Sequence, residues 1–138
     1  MTPYTTYIPE FLSDVYNMKG VTIHYSLDGR GRILTELWES ENGDAIGEIR
    51  NTWSGDRLDS VLWESPGQER LVEFEYDGKG NRIVERNLRN GVLERSVTSR
   101  NGLDTEEIYM NGILILKAVW EDGLKISEER ITPPRGGR

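Results

Sequence analysis

Residues 90–112 read Asn90-Gly91-Val92-Leu93-Glu94-Arg95-Ser96-Val97-Thr98-Ser99-Arg100-Asn101-Gly102-Leu103-Asp104-Thr105-Glu106-Glu107-Ile108-Tyr109-Met110-Asn111-Gly112. Three Asn-Gly dipeptides bracket two runs of β-prone residues, and Asp122-Gly123 closes a third run. Asn-Gly and Asp-Gly supply the two positive φ angles of a type I′ turn, whose twist matches antiparallel strands. The stretch from Asn81 to Ile131 is therefore predicted to be a run of hairpins with no helix in it.

Working outward, the same punctuation continues toward the N-terminus. Runs rich in Ile, Val, Leu, Thr and aromatics cover residues 21–26, 33–40, 45–53, 58–64, 70–76, 81–89, 92–100, 103–110, 113–121 and 124–131, parted by Gly, Asn, Asp or Pro-Gly clusters. Links this short make sequence neighbours sheet neighbours. The expected fold is all-β: an antiparallel up-and-down meander of about ten strands, a closed or strongly curved barrel-like sheet. A short helix is predicted over about residues 9–19, with Pro9 at its start and Gly20 at its end. Residues 1–132 form one expected domain, and Pro133 to Arg138 a disordered tail.

A two-residue turn pairs residues symmetrically. This sets Leu88 against Leu93, Arg86 against Arg95 and Val84 against Val97. Val97 would then face Glu106, and Arg95 Ile108. Beyond Asn111-Gly112, Met110 faces Ile113, Ile108 faces Ile115 and Glu106 faces Lys117; beyond Asp122-Gly123, Val119 faces Ile126 and Lys117 faces Glu128. All share one mainly apolar face, whose burial at about 1.5 to 3 kcal/mol per aliphatic side chain would be the main stabilising term. Glu94, Ser96, Thr98, Thr105, Glu107, Lys125, Ser127 and Glu129 fall on the opposite, solvent face. The run from Ile113 to Trp120 is apolar on both sides and calls for a cover, which the N-terminal helix could supply.

The 138 residues carry a net charge of −7, distributed unevenly. Twelve acidic residues stand against three arginines between Ile33 and Asp77, while Gly78 to Arg100 holds six basic residues against two acidic ones. Such acidity disfavours nucleic-acid backbones and favours a basic partner. With no cysteine, disulfide and thiolate chemistry are excluded. The N-terminus lacks the basic n-region of a secretory signal, and no run has the length of a membrane span, so a cytoplasmic protein is expected.

Leu37-Trp38-Glu39-Ser40 recurs as Leu62-Trp63-Glu64-Ser65, with Val119-Trp120-Glu121-Asp122 as a looser copy. Tyr76-Asp77-Gly78-Lys79-Gly80-Asn81-Arg82-Ile83 resembles the Tyr-Asp-x-x-Gly-Asn/Arg unit of YD-repeat, RHS-like proteins, and Tyr25-Ser26-Leu27-Asp28-Gly29-Arg30-Gly31-Arg32-Ile33 is a degenerate second copy. The Asn-Gly-apolar units are also similar to the short repeats of MORN-like bacterial antitoxin and immunity proteins. These resemblances imply hairpins and protein-partner roles, and carry no catalytic residues over.

Catalytic constellations are scarce. His24 is the only histidine, neither Gly29-Arg30-Gly31 nor Gly78-Lys79-Gly80 opens a helix, and neither a metal nor a cofactor is expected. The composition weighs against an enzyme. Two functional readings follow. In the first, a non-enzymatic binding protein of immunity or antitoxin type engages a basic protein partner through an acidic, Trp-bearing surface formed by Trp38, Glu39, Trp53, Trp63 and Glu64. In the second, a small β-barrel holds an apolar small molecule, as a carrier or a cofactor-free cyclase or isomerase. Its pocket would be lined by Arg86, Arg95, Glu106, Ile108, Ile115, Lys117, Trp120 and Glu128. Homo-oligomerisation through sheet edges is compatible with either.

Overall fold

The computed structural model describes residues 9–131, so the expected tail at 133–138 lies outside the described residues. A 3-10 turn (Glu10–Leu12) runs into a single α-helical turn, α1 (Ser13–Tyr16). Ten strands follow: β1 (Thr22–Leu27), β2 (Ile33–Glu39), β3 (Ala45–Ser54), β4 (Arg57–Ser65), β5 (Gln68–Tyr76), β6 (Arg82–Arg89), β7 (Val92–Arg100), β8 (Leu103–Met110), β9 (Ile113–Glu121) and β10 (Leu124–Arg130). Each expected strand is present within two residues of its limits. They form an antiparallel meander in the order β1 to β10. The order has two ends, so the closed-barrel form of the expectation is not met. No helix among the described residues is long and apolar enough to cross a membrane.

The helical segment is shorter than the expected 9–19. It ends at Tyr16, with Asn17 as its cap, because so short a segment cannot meet the cost of helix nucleation and persists only where it packs. Gly20, at φ +80°, then redirects the chain into β1.

The turns form as the sequence predicts. Asn90, Asn101, Asn111 and Asp122 have φ between 49° and 53°, each followed by a glycine at 78° to 81°. Longer links share a second geometry. In Asp28–Arg32, Ser40–Asp44 and Asp77–Asn81 the first residue's N–H donates to the fifth residue's carbonyl, at 2.9, 2.8 and 2.9 Å, and a glycine in fourth place donates back to the first carbonyl. The two segments with the Tyr-Asp-like pattern thus fold into the same loop. Asp77 fastens its copy by accepting the Lys79 N–H at 2.8 Å and the Asn81 N–H at 2.9 Å. These bonds, the Asn81 N–H foremost, hold its carboxyl below the ordinary value of 3.8. The stability it supplies is present above that value and is lost as pH falls through the depressed one. Asp77→Ala should lower the melting temperature by several degrees at neutral pH, and the gap to wild type should close in strong acid, where protonation removes the same bonds; melting curves across the acid range check this.

The predicted register fails in a consistent way. The return strand carries one extra residue shortly after most of the turns, a β-bulge. Register shifts place these extra residues at Leu34, Ile46, Asp59, Ile83, Glu94, Ile115 and Ile126. β7 and β8 pair without a shift, and there Val97 faces Glu106 and Arg95 faces Ile108 as expected. Elsewhere each bulge reverses the alternation beyond it. Arg86 faces Ser96 and Val84 faces Thr98; Ile108 faces Leu116 and Glu106 faces Ala118; Val119 faces Ser127, and Lys117 faces Glu129. The pairs Arg86–Arg95, Val84–Val97, Ile108–Ile115, Glu106–Lys117, Val119–Ile126 and Lys117–Glu128 are therefore corrected. Turn-proximal Leu88–Leu93 and Met110–Ile113 stand.

Two compact units make up the chain, residues 1–69 and residues 70–138. In the first, one face of β1–β4 carries Trp38, Ile49, Val61 and Trp63, all buried. The helical segment lies over this face: Pro9 and Leu12 are buried, and the Tyr16 ring stands 6.0 Å from Trp38. Trp38 and Trp63 meet edge to face at 5.4 Å. The expected role of the helix over Ile113 to Trp120 is thus corrected to a cover on Trp38. Gly47 faces Trp38 across β2 and β3, and the space of its absent side chain holds the Trp63 ring.

In the second unit Val72, Phe74, Ser96 and Ala118 are buried, and most other strand positions are half-exposed on both faces. One face carries the row Phe74, Glu85, Val97, Glu106, Ala118, Glu128 beside Val72, Asn87, Arg95, Ile108, Leu116, Arg130. The other carries Glu73, Arg86, Ser96, Glu107, Lys117, Glu129, a ladder of largely alternating charge that favours cross-strand pairing. At the end of the order every residue of β10 is exposed. Its bulge at Ile126 and the adjacent Glu128 and Glu129 blunt this edge against strand addition.

Candidate functional site

The solvent face of β1–β4 is built by the same alternation that buries the tryptophans. One row across it runs His24, Leu37, Glu48, Glu64; the next runs Ser26, Thr35, Arg50, Leu62. Glu48 and Glu64 stand directly opposite each other, a like-charge pair that costs stability wherever a single sheet face holds it. Arg50 is the cation beside them. Its Nε lies 3.0 Å from Glu48 and 3.9 Å from Glu64, and all three side chains are open to water. Glu39, further along β2, is hydrogen-bonded to His24 Nε2 at 2.5 Å.

A groove of about 380 Å³ runs beside these charges. Leu37, Ala45, Ile46 and Pro66 give it an apolar lining, and Glu48, Arg50 and Glu64 edge it. The bulge in β3 has a part in this, since Ile46 is the extra residue between Ala45 and Gly47. Leu37 is 36% exposed although it sits mid-strand in the centre of the face. An apolar floor bounded by two carboxylates suits a ligand that presents an aliphatic stem with a cationic head.

Of the five residues expected to form the partner surface, the structure brings Glu39 and Glu64 to this face. Trp38 and Trp63 are removed from it: at 0% and 3% exposed they are core. Trp53 is half-buried and donates its Nε1–H to the Ile33 carbonyl at 2.9 Å. The correction has a simple cause. Trp and Glu are adjacent in each Leu-Trp-Glu-Ser copy, so a strand must send them to opposite faces, and the tryptophan takes the covered one.

The expected ligand pocket is divided between the two faces of the second unit. Arg95, Glu106, Ile108, Trp120 and Glu128 share the Phe74 face, while Arg86 and Lys117 fall in the charged ladder opposite and Ile115 is a bulge residue. The group that remains together is satisfied internally. Glu106 takes the Arg95 Nε–H at 2.6 Å on one oxygen and the Trp120 Nε1–H at 3.1 Å on the other. Lys125 sits 5.3 Å from the centre of the Trp120 ring. Arg86 pairs with Glu75, and more distantly with Glu73 at 3.8 Å.

Leu37, Glu48 and Arg50 escaped sequence reasoning as site residues. A signal existed: Glu48 and Glu64 fall opposite each other once Trp63 and Ile49 are taken as core neighbours. The buried Glu36 also escaped, since a Glu between Thr35 and Leu37 reads as a solvent-facing residue. No known protein family matches the chain, and no curated protein matches it.

Proposed function

We propose that the protein is a non-enzymatic binding module that engages a basic protein partner through the solvent face of β1–β4. A lysine or arginine of the partner inserts between Glu48 and Glu64, and a neighbouring aliphatic side chain lies in the groove beside Leu37. The observation that carries this reading is the direct opposition of the two carboxylates. A sheet shaped for stability alone would set a cation or an apolar residue across from Glu48; here the one nearby guanidinium must serve both acids. The resemblance to YD-repeat and MORN-like immunity and antitoxin proteins points the same way, toward a protein-partner role. The alternative barrel around an apolar ligand needs β1 and β10 to pair, and the open strand order lends it no support.

Selection of random peptides on the intact protein, counter-screened on the Glu48→Gln/Glu64→Gln variant, tests this. Enriched peptides should combine a basic residue with an adjacent aliphatic one and lose about five- to tenfold in affinity toward the variant, with the loss shrinking in high salt. The variant should be at least as stable as wild type, because the substitutions remove a like-charge pair. Peptides without basic residues, or with equal affinity for both proteins, would refute the proposal.

A further inference from the structure

The opposite, covered face of the same sheet holds a group that the partner surface does not use. Glu36 is fully buried. One of its oxygens accepts the Trp38 Nε1–H at 3.0 Å, and the other has no hydrogen-bond donor. Asn51 lies diagonally from it, two residues beyond the Ile49 that faces Glu36 across β2 and β3. The Asn51 amide donates to the Ile33 carbonyl at 3.1 Å, while its own oxygen is buried without a donor.

Both of these oxygens are buried acceptors without a donor on one sheet face, and at Glu36 a proton on the carboxyl would remove the deficit. No group that faces Glu36 donates to its second oxygen, the Tyr25 hydroxyl included. Tyr25 stands across from it on β1 and Ile49 on β3, while Trp38 flanks it on β2. The helical segment brings Tyr16 onto Trp38, and its own acids, Glu10 and Asp14, point to water. His24 and Glu39 are on the other face. Among the described residues no cation pairs with Glu36.

We infer that the segment Glu10–Tyr16 is a proton-latched cover over the Trp38–Glu36 face, seated while Glu36 is a neutral acid and released when it ionises. Burial raises the Glu36 carboxyl above its ordinary 4.5, the Trp38 bond only partly opposing this. Since the seated state binds the proton more tightly, its advantage is complete below 4.5 and is lost as pH rises through the raised value. Release exposes Trp38 and its edge-on neighbour Trp63, an aromatic surface that the seated protein hides. This inference stands apart from the partner reading, which concerns the opposite face.

Hydrogen exchange of the intact protein, read by mass spectrometry on peptides covering residues 10–17 and corrected for intrinsic exchange, tests the cover. From about pH 5 to about pH 9 the opening of wild type should rise by up to about tenfold per pH unit once Glu36 begins to ionise. Glu36→Gln, which carries an N–H in place of the acid proton and cannot ionise, should remain closed across the range. Identical profiles for the two proteins would overturn the inference. Carbon NMR of the Glu36 carboxyl in wild type gives a second reading that needs no variant: a titration midpoint above 4.5 is expected, and one at or below 4.5 overturns it.

Discussion

Gly47→Ala is expected to destabilise the protein by about 3 kcal/mol, the upper end of the range for overpacking a core. A methyl group on Gly47 would lie 2.4 Å from Trp63 Cζ2, 2.6 Å from Cη2 and 2.9 Å from the Glu64 carbonyl oxygen. None of these can yield at little cost. The Trp63 ring is sealed against Trp38 on one side, and the Glu64 carbonyl belongs to β4, whose place is fixed by its pairing with β3. The backbone of Gly47 is in a conformation open to any residue, so the clash alone decides the sign, against the modest entropic gain of about 0.4 to 1 kcal/mol that Ala would otherwise bring. Denaturant unfolding measures the effect. The cause can be isolated with Trp63→Phe, which removes the six-membered ring atoms that the methyl would strike. In that background Gly47→Ala should cost at least about 1 kcal/mol less, a coupling that a backbone effect would not show.

Trp38→Ala should cost about 3 to 5 kcal/mol, as expected for emptying the site of a fully buried aromatic side chain. Trp38 is where three separate stabilising contacts converge. Its ring receives Tyr16 from the helical segment, meets Trp63 edge to face, and donates its indole N–H to Glu36. Losing it opens a cavity and also strips the helical segment of the surface that keeps it folded. Trp38→Phe separates packing from polarity. It keeps an aromatic ring on Tyr16 and Trp63 but takes the indole donor from the buried Glu36 carboxyl, at a cost of about 1 to 3 kcal/mol. Unfolding curves that rank Trp38→Phe between wild type and Trp38→Ala bear out the scheme; a Trp38→Ala protein of near wild-type stability contradicts it.

Much of the architecture was legible because it is written in local chemistry. Asn-Gly and Asp-Gly force φ positive at two successive residues, and few hairpins other than tight ones can use that, so strand number and limits followed from the turns. Outside the β7–β8 pair, whose register holds throughout, register was legible only as far as the first residues after a turn. Leu88 meets Leu93 as expected, but the bulge at Glu94 sends Arg95 to the other face. A bulge has no strict sequence signature: Glu94, Ile115 and Ile126 differ in charge and shape, while Thr105, at the equivalent place after Asn101-Gly102, is not bulged at all. The candidate site was legible in part for a related reason. Glu39 and Glu64 were identified through the Leu-Trp-Glu-Ser repeat, yet which of Trp and Glu faces solvent depends on the helical segment, and only the folded chain shows that it lies on the Trp38 side. Glu36 was hidden by the same fact, since it lies two residues from Trp38 and shares its buried face.

The central claim is that the β1–β4 sheet has one face sealed beneath the helical segment and one acidic face left open. Carbodiimide labelling of carboxylates in the native protein, located by mass spectrometry, tests it directly. Glu48 and Glu64 should label at the rate of accessible carboxylates while Glu36 stays unmodified until the protein is unfolded. Rapid labelling of Glu36, or protection of Glu48 and Glu64 in the isolated protein, would contradict the account.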